Sequence, residues 1–128
     1  MARAEVHNDL MDKEDHYYAG VDLFGEGKLD EAITEYQKAL EFDPKFTDVL
    51  HALAQAYFTK GDFDSSIATA HRIIEIDPDD VLAYTSISRA YQRKGMIREA
   101  EEAGNKARIL GWKKQLQEQK QKAPGEGS

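Results

Sequence analysis

Two glycine-bearing stretches near the start of the chain have the outline of a phosphate cradle. Gly20-x-x-x-x-Gly25 has the spacing of a loop whose backbone N–H groups surround phosphate oxygens, but Glu26 follows where a lysine would neutralise the anion. Gly27-Lys28 runs into Leu29, with no Ser or Thr to hold a magnesium ion. The histidines His7, His16, His51 and His71 are scattered. No two stand at His-x-x-x-His, the spacing that puts two imidazoles on one helix face as metal ligands. Asp77-Pro78-Asp79-Asp80 lacks the glycine and the distal glutamate of a calcium loop, and Asp79 or Asp80 suits the start of a helix instead. Carboxylates are plentiful, yet no pattern gathers a pair of them into a cleft. The sequence therefore assigns no catalytic residue, no cofactor site and no metal site, and the expectation is a protein that is not an enzyme.

Charge narrows the choice of partner. The net charge is −7. Residues 13–46 and 47–80 each carry −5, whereas residues 81–114 carry +5. The basic groups Arg89, Arg93, Lys94, Arg98, Lys106 and Arg108 are confined to that last stretch and carry no base-reading motif, so no nucleic-acid partner is expected. No apolar run approaches the ~20 residues of a membrane span, so no membrane partner is expected either. There is no cysteine, hence no disulfide and no thiolate metal site. Residues 1–12 form a polar, acidic segment without the apolar stretch of a secretory signal, and the expected location is cytoplasmic.

A regular glycine spacing marks the architecture. Gly27, Gly61 and Gly95 recur every 34 residues, each between two apolar stripes. In that register Gly20 aligns with Ala54 and Ser88, Leu23 with Tyr57 and Tyr91, and Leu29 with Phe63 and Ile97. Leu50, Leu53, Ala54 and Tyr57, then Ile67, Ala70, Ile73 and Ile74, follow the i, i+3, i+4, i+7 rhythm of amphipathic helices. A helix that ends on a left-handed residue needs glycine there. Each unit therefore reads as helix, tight turn, helix, over 13–46, 47–80 and 81–114. A period of this length marks stacked repeats, none of which buries its apolar face alone.

These columns resemble the tetratricopeptide repeat family, whose signature is W-x-x-L-G-x-x-Y followed by alanine, phenylalanine and proline. The second unit reads Leu50-x-x-Leu53-Ala54-x-x-Tyr57, then Gly61, Phe63 and Pro78. The third reads Tyr84-x-x-Ile87-Ser88-x-x-Tyr91, then Gly95, Ala100 and Ala107. The first has His16, Ala19, Gly20 and Leu23, then Ala32, Tyr36, Ala39 and Pro44. The resemblance implies an all-α fold, a right-handed α-solenoid of three repeats. Departures are expected to loosen the packing between units: Ser66 replaces an alanine, and Ala70 and Gly104 stand where Tyr36 supplies bulk. Gly111-Trp112 occupies the place of Asp43-Pro44 and Asp77-Pro78, so the rhythm stops. Residues 112–122 are expected to form a C-terminal capping helix with Trp112 and Leu116 covering the last repeat, and 123–128 a disordered tail.

The resemblance also implies that the first helix of each unit lines a concave face. The stripe one residue beyond the core stripe should then form a peptide-binding groove: Tyr17, Val21 and Phe24; His51, Gln55 and Phe58; Thr85, Arg89 and Gln92, with Arg93 at the edge. Family members that clamp the carboxylate end of chaperones do so with lysines and asparagines. Here those places hold Tyr17, Val21, Ala52, Leu82 and Ser86, which disfavours that ligand. The expected function is a non-catalytic adaptor or scaffold. It would bind an extended or helical segment of another protein, with apolar anchors over the aromatic groups and an acidic group over Arg89 or Arg93. The alternative is a structural subunit that self-associates through its acidic and basic ends.

Overall fold

The computed structural model describes residues 10–126, with side chains through residue 122. The described residues form six helices: α1 (Lys13–Gly25), α2 (Leu29–Phe42), α3 (Thr47–Lys60), α4 (Phe63–Ile76), α5 (Val81–Arg93) and α6 (Ile97–Glu126). No strand is present among the described residues. The expected N-terminal segment lies outside the described residues except for its last three positions.

Local chemistry sets the helix ends. Asp12 starts α1 through a reciprocal cap, accepting from the Asp15 amide while the Asp15 carboxylate accepts from its own, both at 3.0 Å. Asp62 and Asp80 cap α4 and α5 by accepting from the amides of Ser65 (3.1 Å) and Ala83 (2.9 Å). Of the two aspartates suited to a helix start, Asp80 does the capping. Gly27, Gly61 and Gly95 all have positive φ, 80°, 92° and 78°. After each one, the next amide (Lys28, Asp62, Met96) donates at 2.9 Å to the carbonyl of Leu23, Tyr57 or Tyr91. One turn geometry thus recurs at each repeat of the sequence. The second helices of the first two units end where Asp43 and Asp77 go extended ahead of proline, a residue that disfavours helical backbone before it.

The third unit has no such stop. With Gly111-Trp112 in place of Asp-Pro, α6 continues unbroken to Glu126. The expected capping helix over 112–122 is therefore the distal part of α6, not a separate element, and residues 123–126 are helical where a disordered tail was expected. Trp112 and Leu116 are 66% and 46% exposed, so they do not cover the last repeat. A straight helix carries them away from the face they would have to reach.

Each helix packs on its sequence neighbours, and the first helices of successive units also touch (α1 with α3, α3 with α5). The second helices do not touch one another. The first helices therefore lie on the inner, concave side of an α-solenoid. Between units the core is apolar: Ile33, Tyr36, Leu40, Val49, Leu50 and Leu53 are among its buried members. Two serines among the buried repeat positions are held by hydrogen bonds. Ser66 is buried and its Oγ donates to the Ala54 carbonyl at 2.8 Å, and Ser88 Oγ does the same to Ala100 at 2.7 Å. His16, at a position held by Leu50 and Tyr84 in the other units, is buried with its Nδ1 2.8 Å from Glu35 Oε1. A buried polar group is tolerable once it is bonded.

Candidate functional site

The residues expected to line a groove on the first helices do not form one uniform surface. At the first-unit end Tyr17 is half-buried, packed on Phe46 (5.6 Å between ring centroids) and Tyr36 (6.3 Å). Phe24 is also half-buried against the core, and Val21 is exposed. The freely accessible ring here is Tyr18, 60% exposed, which the sequence reading left out of the groove. Tyr18 occupies the repeat position of Ala52 and Ser86.

In the middle unit His51 is half-buried, with Nε2 2.9 Å from Asp80 Oδ2. Asp80 thus uses one oxygen to cap α5 and the other to hold His51, tying α3 to the following unit. Gln55 is exposed, and its Nε2 donates to Thr59 Oγ1 at 3.2 Å. In the third unit Thr85 is half-buried and donates to its own helix at Val81 O, while Arg89, Gln92 and Arg93 are exposed.

The residues brought together are Phe58, Arg89 and Arg93. The Arg89 guanidinium sits 4.6 Å and that of Arg93 5.4 Å from the Phe58 ring centroid. Phe63 meets Phe58 edge to face at 5.4 Å, and Arg93 also lies 5.2 Å from the Phe63 ring. A guanidinium above an aromatic face is attracted by the ring quadrupole, and the ring fixes its position while leaving its N–H groups available. Among the described residues neither Arg89 nor Arg93 forms a salt bridge. Lys94, from the same basic stretch, is different: it pairs with Asp64, whose carboxylate raises the lysine pKa. Beside the cluster Ala54, Gln55, Phe58, Ser66, Ser86 and Arg89 close around a narrow cleft with no room for a ligand group. Phe63 escaped the sequence reading because its column holds Leu29 and Ile97, so it reads as core. Its aromatic type in an otherwise aliphatic column was the available signal.

Among the described residues no three His, Cys, Asp or Glu side chains converge as metal ligands. No helix among them is long and apolar enough to cross a membrane.

Comparison with known proteins agrees with this architecture. No curated protein sequence matches the chain significantly. Among solved structures, MamA is similar at 30% identity with a TM-score of 0.80, over 84% of this chain and 63% of that one. The chain thus spans about three fifths of the MamA structure's length. YrrB, described as a protein of this repeat type with an unusual peptide-binding site, is similar at 19% identity and a TM-score of 0.75, over 82% of this chain and 54% of that one. The first repeat domain of Spaghetti (RPAP3), solved with the HSP90 peptide SRMEEVD, is similar at 23% identity and a TM-score of 0.72, over 77% of this chain and 78% of that one. The tetratricopeptide repeat family model matches residues 23–90, more than half of the 128 residues. With three stacked helix-turn-helix units, the shared glycine turns and this match, the chain belongs to the tetratricopeptide repeat family.

Proposed function

We propose that the protein is a non-catalytic adaptor whose concave face binds a segment of a partner protein. The segment carries apolar anchors and an acidic residue. The observation that carries this reading is the pair of guanidinium groups held over Phe58 with no carboxylate among the described residues on either. Two cations 4.6 Å and 5.4 Å from one ring repel each other, and an incoming carboxylate relieves that repulsion through charge-assisted hydrogen bonds. YrrB and the Spaghetti domain give a precedent for peptide binding on this fold. The carboxylate-clamp positions here hold Tyr17, Val21, Ala52, Leu82 and Ser86, so an HSP90-type tail is not the ligand favoured for this chain.

A random peptide library displayed on phage tests the reading. Selection on the wild-type protein should enrich sequences that pair Asp or Glu with an aromatic or aliphatic residue. Enrichment should vanish on Arg89→Glu/Arg93→Glu, and affinity for a selected peptide should fall at least tenfold on Phe58→Ala. Peptides enriched equally by the charge-reversed variant would show that this end of the groove is not the site.

A further inference from the structure

Beyond Leu110, its last buried side chain, α6 runs on alone, and every residue from 112 to 122 is exposed. At 1.5 Å per residue the stretch from Leu110 to Glu126 projects roughly 24 Å. Ile109, Trp112 and Leu116 recur on it at i, i+3 and i+7, so they share one face, and they are 51%, 66% and 46% exposed. Residues 106–122 carry six basic groups and one acidic group, Glu118. By helical spacing Lys113 and Lys120 flank the apolar stripe, while Glu118 lies on the opposite face.

The other end of the solenoid carries the complement. On α1, Tyr18 and Val21 are 60% and 43% exposed. Glu14 and Asp22, one turn before and after Tyr18, are exposed as well. The leading face of α1 is also acidic where later units are apolar. Asp15 and Asp22 occupy the positions of Val49 and Ala56, and of Ala83 and Ala90, all four of which are 0% exposed beneath the preceding unit. Carboxylates at these positions block apolar stacking of another repeat and favour a basic element instead.

We propose that α6 of one copy docks through Ile109, Trp112 and Leu116 onto Tyr18 and Val21 of a second copy, with Lys113 and Lys120 meeting Glu14 and Asp22. This rests on the reading that the first helices form the binding face, and it uses the first-unit end, leaving Phe58, Arg89 and Arg93 free. Donor and acceptor are different surfaces, so the contact is heterologous and repeats head to tail. Antiparallel pairing of two α6 tails is the poorer arrangement, because it opposes two strongly basic stretches.

Sedimentation velocity on the full chain tests the proposal. At about 0.05 M salt the wild type should gain mass with concentration, and the gain should weaken at least tenfold at about 0.5 M, where the Debye length is a few ångströms. Trp112→Ala/Leu116→Ala and Tyr18→Ala/Val21→Ala, all at exposed positions, should each remain monomeric with wild-type circular dichroism. Mixed, the two variants should form a 1:1 dimer that grows no further, since one supplies the only intact tail and the other the only intact acceptor. A wild type that stays monomeric overturns the proposal, including when it binds phosphatidylserine vesicles through the same stripe. Assembly of the Tyr18/Val21 variant at wild-type strength, or a mixture that stays monomeric, overturns it too. Peptide binding lost on Arg89→Glu/Arg93→Glu would persist through any of these failures, so the two readings fail separately.

Discussion

Gly20 and Tyr36 share one space: a Cβ added to Gly20 would lie 2.4 Å from Tyr36 Cε1 and 2.6 Å from Cδ1. The same exchange runs through the units. The small column of the first helices grows from Gly20 to Ala54 to Ser88, while the column of the second helices shrinks from Tyr36 to Ala70 to Gly104. At the far end a Cβ on Gly104 would meet Ser88 Oγ at 3.2 Å. The first column gains only a methyl or hydroxymethyl group while the second loses a whole phenol ring, so the pair shrinks along the chain, and a cleft lined by His71, Tyr84, Tyr91, Glu102 and Ala103 lies between the second and third units.

Gly20→Ala should accordingly destabilise the fold, although alanine is the better helix former by about 1 kcal/mol. The clash is with ring carbons of a buried tyrosine, and overpacking of this kind costs about 1–3 kcal/mol. A lowered urea midpoint is expected, with partial recovery in Gly20→Ala/Tyr36→Leu. Gly104→Ala should cost less, since its Cβ would stand 3.2 Å from Ser88 Oγ and needs only a small shift, which the Ser88 bond to the Ala100 carbonyl resists.

Asp80 separates two roles that one substitution can divide. Asp80→Ala removes the cap of α5 and the partner of His51, and the cap alone is worth about 1 kcal/mol. Asp80→Asn keeps an acceptor for the Ala83 amide and turns an amide NH2, a donor, toward His51 in place of the carboxylate oxygen. The expected order of stability, read from urea unfolding, is wild type, then Asp80→Asn, then Asp80→Ala.

The Ser65 hydroxyl and then its amide hold the Asp62 carboxyl below the usual carboxylate range. The folded chain therefore protonates Asp62 at lower pH than the unfolded chain does. Its contribution is fully present above the unfolded value of about 3.9 and is lost as pH falls through the folded value. Unfolding midpoints measured from pH 5 downward should fall less steeply for Asp62→Asn than for the wild type.

The distal part of α6 should contribute little to the stability of the monomer. Trp112→Ala/Leu116→Ala at low protein concentration is expected to unfold within about 0.5 kcal/mol of the wild type. Leu110→Ala, one residue inside the packed region, should cost about 2–5 kcal/mol. A large loss from the first pair would mean that these side chains do cover the last repeat.

The sequence by itself determined the units, their helices and their turns, because the causes are local. A positive φ calls for Gly27, Gly61 and Gly95; a proline halts the helices ending at Phe42 and Ile76; an aspartate caps α4; an apolar stripe marks each core face. The expected groove stripe came from the resemblance together with helical spacing, and the contacts each of its members makes were decided by tertiary structure. Helical spacing does not distinguish Tyr17 from Tyr18, and the deciding contact for Tyr17 is Phe46, which stands just before α3. His51 and Asp80 are 29 residues apart, and only the stacking of units joins them. Phe58 acquired Arg89 and Arg93 in the same way, from a helix of the following unit. Even the reach of α6 past Gly111 depended on a missing stop and on the absence of any face to fold back against. Sequence periodicity states which side of a helix is free, and only the packed solenoid states what stands beside it.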